Sequence, residues 1–267
     1  MQSIVITGAA GRIGRTIAPL LEREGRRLVL LDHEVPADAT GDWVEATVTD
    51  RDALAAALAG ADTVVHLAGI PVEDEWESIL STNIDGTHAV LSAAHDAGVG
   101  RVLLASSIHA AGYWSAADLH DHPFEPRPDT LYGVSKAAME ALGSVFADRF
   151  GMSIVSARIC TFLEHPAVDA VPGRTIATWL SPADMVRLVE AVVALEEPGH
   201  HLVWAVSANA QGWFPLEAGR AIGFEPQDDA VQWFLDRDGR TPDLPSRDDL
   251  LAGGFVGDGH PLGERWG

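Results

Sequence analysis

The chain has 267 residues, of which 47% are hydrophobic, enough for one sizeable α/β core with a small appended lobe. Its 18 basic residues face 39 acidic ones, a formal net charge of -21, which excludes nucleic acid and an anionic membrane surface as partners because both demand a basic footprint. The single cysteine, Cys160, rules out an internal disulfide and fits a reducing compartment.

Of the basic residues only Lys136 is lysine; the rest are arginine, a bias that GC-rich coding or a salt-rich cytoplasm would produce. No basic start followed by a long apolar stretch opens the chain. No apolar run approaches the ~20 residues of a membrane-spanning helix, so a cytoplasmic protein without membrane contact is expected.

Residues 3–7 are a short apolar run and read as the first strand. Thr7-Gly8-Ala9-Ala10-Gly11-Arg12-Ile13-Gly14 follows, and the pattern is helical over 13–24. In a strand–turn–helix context such a glycine trio binds a dinucleotide. Gly8 permits the tight turn, Gly11 lets the backbone approach a pyrophosphate, and Gly14 lets helix and strand pack closely. The helix N-terminus, with Arg12 and Ile13, faces the phosphates. The second strand, 28–32, ends on Asp32, whose carboxylate can accept from both adenosine ribose hydroxyls and would repel a 2′-phosphate. His33 comes next and no arginine is placed to neutralise such a phosphate, so NAD is expected over NADP. A ligand-free glycine turn and a merely capping Asp32 are the bland alternatives.

Helical patterns over 52–58 and 77–97 alternate with strands at 63–67 and 102–107. The last of these ends on Ser106 and Ser107, where a hydroxyl can bind a reacting oxygen. The helix 131–150 then opens with Tyr132-Gly133-Val134-Ser135-Lys136. Tyr132 and Lys136, four apart, share one face. The ammonium is expected to lower the tyrosine pKa and so make Tyr132 a general base. A strand at 153–158 closes the series. Continuous apolar strand cores and strict strand–helix alternation imply a doubly wound parallel sheet, the Rossmann architecture, over residues 1–160.

Residues 161–267 are expected to form a small, irregular C-terminal substrate lobe that adds further Rossmann elements over about 181–206. Within it, 162–178 reads as a loop or lid, 181–196 as a helix capped by Ser181 with Pro182 at its first position, and 202–206 as a strand. The eleven histidines show no ligand spacing, so no metal site is expected. Trp204, Trp213 and Trp233 read as core or interface residues, with sugar stacking as the sharper alternative. Cys160 has no activating partner in the sequence.

The glycine loop, the Ser-Ser strand end and the Tyr-x-x-x-Lys pair together are those of the extended short-chain dehydrogenase/reductase superfamily. Within it the chain resembles the uronate dehydrogenases over nearly its whole length. The matching stretches are Ile6-Thr7-Gly8-Ala9-Ala10-Gly11, His66-Leu67-Ala68-Gly69-Ile70, Ser106-Ser107 with His109 and Gly112-Tyr113, and Arg127-Pro128-Asp129 ahead of residues 131–136. Later come Arg174 before Thr178-Trp179, Ser207-Ala208-Asn209 before Gly212-Trp213, and Gly253-Gly254-Phe255-Val256.

The resemblance implies NAD-dependent oxidation of a uronic acid at C1 to an aldarolactone, with Tyr132 taking the anomeric proton, Lys136 holding the nicotinamide ribose and Ser107 binding O1. It places Leu67, Ala68, Gly69, Asn83, Ser106 and Ile159 around the cofactor, and puts Thr47 and Val48 where the family has an acidic residue near the adenine. It sets His109 and Thr161 against the substrate and Arg174 on its carboxylate, which a guanidinium can grip bidentately. Two hydroxyl-contacting positions depart from the family pattern: Ile108 stands for asparagine and Pro71 for serine, so sugar recognition differs. The rivals are a 1-dehydrogenase of neutral aldoses, an epimerase or dehydratase that retains NAD, and a non-catalytic dinucleotide sensor. A homo-oligomer is compatible with the resemblance.

Overall fold

The computed structural model describes residues 2–166, 173–240, 243, 246–257 and 259–266. The chain opens with β1 (Gln2–Thr7), α1 (Arg12–Leu21), β2 (Arg26–Asp32), β3 (Asp42–Glu45), α2 (Arg51–Leu58) and β4 (Thr63–His66). A near-continuous helix follows as α3 (Trp76–Ile79), a π-helical stretch (Leu80–Asp85) and α4 (Gly86–Asp96). Next are β5 (Arg101–Ser107), α5 (Leu131–Phe150), β6 (Ser153–Ile159), β7 (Thr161–Phe162), α6 (Arg174–Thr178), β8 (Trp179–Leu180) and α7 (Pro182–Ala194). β9 (Gly199–Ala205), α8 (Glu217–Ala221) and α9 (Ala230–Asp238) complete the series.

Seven strands form one parallel sheet in the order β3-β2-β1-β4-β5-β6-β9. Growth reverses direction between β1 and β4, and the crevice at the carboxyl ends there is where doubly wound sheets bind ligands. Side chains alternate between the two faces of each strand. Ile4, Ile6, Leu103 and Val203 pack on α1 and α7 through Ile17 and Leu188. Val5, Val64, Val102 and Ile154 pack on α2, α4 and α5 through Leu54, Leu91 and Met139. Both faces are covered, which is why the strands read as unbroken apolar runs.

Several boundaries differ from the sequence reading. β3 is absent from it: four residues, Asp-Trp-Val-Glu, with charged ends at the sheet edge, carry almost no apolar signal. The helix expected over 77–97 begins at Trp76, ends at Asp96 and contains a π-helical insertion. The segment 162–178 is not simply a loop. Arg174–Thr178 is helical, and Thr161–Phe162 pairs in parallel with Trp179–Leu180. Residues 167–172 of that segment lie outside the described residues. Ser181 caps α7 by accepting from Asp184 N at 3.0 Å, with Pro182 in the first turn.

β9 pairs with β6 along its full length, so the second half of the chain completes the sheet. Beyond it lies an apolar cluster that joins Ile108, Leu119, Trp204, Trp213, Phe214 and Leu251. No helix among the described residues is long and apolar enough to cross a membrane.

Candidate active site

The glycine turn shapes a cleft of about 750 Å³ at the switch point. Gly8 has φ +72°, and a Cβ there would come within 2.5 Å of Ala68 N. A Cβ on Gly14 would meet Ala9 Cα at 2.6 Å. Gly11 is different: the nearest atom to a Cβ there is Gly8 O at 3.2 Å, so its open side faces the cleft. Gly11 is also the N-cap of α1 and offers no side-chain cap, leaving the first-turn N–H groups for a ligand. Arg12 is exposed at this helix start, and Ile13 packs on the core behind it.

Asp32 binds the turn and borders the cleft at once. Its Oδ2 accepts from Ala10 N at 2.8 Å, and its Oδ1 accepts from His33 N at 2.8 Å. Leu67, Ala68, Gly69 and Thr47 line the same cleft. Thr47 pairs its hydroxyl with Thr49 at 3.0 Å. Val48 is buried in contact range of Gly86, where a Cβ would lie 2.7 Å from Val48 Cγ2. Arg15 also lines the cleft and pairs with Asp38 at 3.4 Å. The open glycine cradle, the uncapped helix and the carboxylate at the end of β2 fit NAD.

Asn83, on the π-helical stretch, is almost fully buried. Its Oδ1 accepts from Ile70 N at 2.8 Å, and its Nδ2 donates to Ile70 O at 3.1 Å and Ser135 Oγ at 2.9 Å. It thereby fixes the loop after β4 to α5. π-Helical insertions recur at functional sites because the extra residue re-aims side chains.

Thr130 caps α5 by accepting from Gly133 N at 2.9 Å, which sets Tyr132 in the first turn. Ser107, at the end of β5, stands within hydrogen-bonding reach of the Tyr132 hydroxyl. Burial pushes Tyr132 up to about 12, with the Asp129 charge adding to it and the Ser107 bond opposing. The lowering expected from Lys136 is not found: desolvation of the phenolate sets the direction. Lys136 Nζ lies 5.5 Å from the Tyr132 ring centre and donates to Ala105 O at 2.7 Å. Burial pulls Lys136 down to about 8, partly offset by Glu140.

Ser106 turns its hydroxyl to Glu140 Oε1 at 2.6 Å, so its proton is not offered to a cofactor. Glu140 is gripped by Arg158 through Nε at 2.8 Å and Nη2 at 2.9 Å. His66 sits in the core between Thr7 and Thr87 and is pulled down to about 3 by burial and the Lys136 charge, which keeps it neutral.

Beside Tyr132, His109 holds Asp129 Oδ2 through Nδ1 at 2.6 Å. Its ring is 5.8 Å from that of Tyr132 and 4.1 Å from that of Phe255. Two glycines make room for this pair. A Cβ on Gly112 would strike Asp129 Oδ2 at 2.2 Å, and one on Gly133 would strike His109 O at 2.3 Å. Arg174 donates through Nη1 to Thr161 Oγ1 at 3.3 Å and through Nη2 to Leu251 O at 2.5 Å. Its Nε is buried without a partner, and among the described residues no carboxylate pairs with it.

Thr161 also bonds Thr178 Oγ1 at 2.8 Å. Gly253 packs on Arg174, and two residues on, Phe255 packs on His109, so one short turn touches both groups. Ile108 is packed into the apolar cluster around Trp204, and Ile159 is nearly buried at the end of β6. Burial pushes the Cys160 thiol up, consistent with a structural residue.

Sequence reasoning assigned no role to Glu73, Asp129, Glu140, Arg158 or Phe255. Asp129 and His109 are too far apart in sequence for any helical or strand period to link them. Glu140, four residues after Lys136, was the one legible in principle, as an acidic residue on the inner face of α5.

Residues 4–197 match the model of the NAD dependent epimerase/dehydratase family. A uronate dehydrogenase of Pseudomonas syringae pv. tomato is 33% identical over 98% of this chain and 95% of its own length. An NAD-dependent glucose-6-phosphate dehydrogenase of Haloferax volcanii is 36% identical over 88% of this chain and 97% of its own. Among solved structures, a mutant uronate dehydrogenase from Agrobacterium tumefaciens complexed with NAD superposes with TM-score 0.83 at 33% identity, covering 99% of this chain and 100% of that one. A parallel seven-stranded sheet with a glycine cradle marks an NAD-binding enzyme, and the full-length relatives named uronate dehydrogenase make it an NAD-dependent oxidoreductase. The chain belongs to the NAD dependent epimerase/dehydratase family, and its full-length relatives include the uronate dehydrogenases.

Proposed function

We propose that this enzyme oxidises a uronic acid of the galacturonate or glucuronate type at C1, with NAD, to the aldarolactone. The observation that carries this reading is Arg174, a buried guanidinium with an unpartnered Nε and no carboxylate on it among the described residues. Burial disfavours its charge, so a counter-anion is called for there. At a net charge of -21 the chain repels anions at long range, and an acidic sugar needs such a local cation.

Bound NAD supplies the hydride acceptor and a positively charged nicotinamide ring. Gly8, Gly11, Gly14 and the start of α1 hold its pyrophosphate, and Asp32 its adenosine ribose. Ser107 holds the reacting oxygen. Tyr132 takes the proton from the C1 hydroxyl as hydride leaves C1. Lys136, fixed by Ala105 O, holds the nicotinamide ribose and adds positive charge beside the phenol. His109, its ring set by Asp129, and Thr161 orient the sugar. Arg174 binds the carboxylate.

The test is a panel of uronic acids, neutral aldoses and glucose 6-phosphate with NAD, read as NADH formation, for wild type and Arg174→Ala. Truncating one partner of a buried charge pair costs ~2–5 kcal/mol, so the KM for the uronate rises at least ~30-fold in the variant while a neutral aldose is unaffected. An unchanged uronate KM overturns the reading. Turnover of the phosphorylated sugar alone moves Arg174 from a carboxylate to a phosphate site, since the guanidinium fork suits both.

A further inference from the structure

Glu73, in the loop between β4 and α3, is a fully buried carboxylate with no cationic partner among the described residues. Its two oxygens serve two distant pieces of chain. Oε2 accepts from Tyr132 N at 2.9 Å, and Oε1 accepts from Gly263 N at 2.8 Å. Its carbonyl also accepts from Trp266 N at 3.3 Å. Burying an unpaired carboxylate is costly unless hydrogen bonds replace its water, and both oxygens here are so compensated. The Tyr132 N–H belongs to the first turn of α5, where backbone donors lack helical partners and a negative charge is favoured by the helix dipole.

The segment 259–266 held at the other end of Glu73 reaches the substrate side. The rings of His260 and Trp266 pack on each other at 4.5 Å and on Phe255 at 5.9 and 5.1 Å. Phe255 in turn packs on His109. One carboxylate thus joins the backbone of the tyrosine to an aromatic strap over the residue beside it.

We propose that Glu73 is a positioning residue that ties residues 259–266 to the backbone of Tyr132, so that closing the substrate pocket and setting the tyrosine are one structural event. A strap that lifts lets water reach Glu73, which then holds Tyr132 N less firmly. The role of Tyr132 as base rests on the proposed function; the tie itself does not.

The experiment compares wild type, Glu73→Gln, Glu73→Asp and Trp266→Ala by amide hydrogen exchange and by steady-state kinetics. A glutamine side chain has one acceptor oxygen, so Glu73→Gln loses one of the two bonds. Exchange is expected to speed up at least ~10-fold in both 131–134 and 259–266. The kcat is expected to fall at least ~10-fold with the KM for NAD held within about twofold, because the tyrosine is misplaced while the cofactor cleft is intact. Glu73→Asp keeps two acceptor oxygens and restores part of the kcat. Trp266→Ala loosens only the strap, and the tie requires that exchange at 131–134 and the kcat follow. If the strap exchanges faster in Trp266→Ala while 131–134 and the kcat stay at wild-type values, the proposal is overturned; so too if Glu73→Gln changes neither segment. Should the wild type turn over no uronate, the function reading falls, and the exchange measurements alone decide the tie.

Discussion

Lys136 is the one lysine of the chain, and its ammonium lies 5.5 Å from the ring centre of Tyr132. Its position was legible from the Tyr-x-x-x-Lys spacing; its energetics were not, because they depend on burial. Held at about 8 instead of its ordinary 10.5, it binds fewer protons in the folded protein than in the unfolded chain across that interval. The charged form therefore subtracts stability below about pH 8, and the deficit fades as pH rises toward 10.5. Lys136→Met is expected to lose turnover yet unfold at a higher temperature at pH 7, with a gain of up to roughly 3 kcal/mol. That gain shrinks toward pH 10, and scans at the two pH values check it. Comparing variant with wild type cancels Cys160 and Tyr132, whose raised values act in the opposite direction above pH 9. An equal gain at both pH values would sink this account of Lys136.

At the scale of elements, α5 carries Tyr132 and Lys136 on its inner face and is pinned from three sides. Thr130 caps it, Glu73 holds its first turn, and Glu140 locks it to β5 and β6 through Ser106 and Arg158. Arg158 is fully buried, so removing Glu140 leaves an uncompensated charge in the core. Glu140→Ala is expected to cost about 3–5 kcal/mol, read as a lower denaturant midpoint, whereas replacing both partners by apolar residues of similar size costs much less. Six strands of the main sheet, α5 and the cap of α7 were readable because periodicity and capping are local. The edge strand β3, helix α6 and the π-helical turn that carries Asn83 were not: each is short and is stabilised by partners distant in sequence.

For the molecule as a whole, a net charge of -21 on 267 residues makes the folded state repel itself. Raising ionic strength shortens the screening length from ~30 Å at 0.01 M to ~3 Å at 1 M and relieves that repulsion. The Tm is expected to climb between these salt concentrations, by roughly 2–4 °C for each kcal/mol relieved. A Tm that falls over the same range would show that ion pairs such as Arg26–Glu190, bonded at 2.7 Å, outweigh the global term. The same excess of negative charge repels anions at long range, so the acidic substrate proposed above depends on the Arg174 guanidinium, whose Nε has no partner.

The sequence by itself determined the doubly wound sheet, the glycine cradle, Asp32 at the end of β2 and the pairing of Tyr132 with Lys136. All of these rest on spacings of a few residues, which strand and helix periods convert directly into geometry. Only the tertiary structure decided the pKa directions at Tyr132 and Lys136, the partnering of His109 with Asp129 and the unpaired state of Arg174 among the described residues. It alone brought Glu73 between Tyr132 and Gly263. Burial and contacts between distant segments arise from packing, and packing leaves no period in the chain for a reader to find.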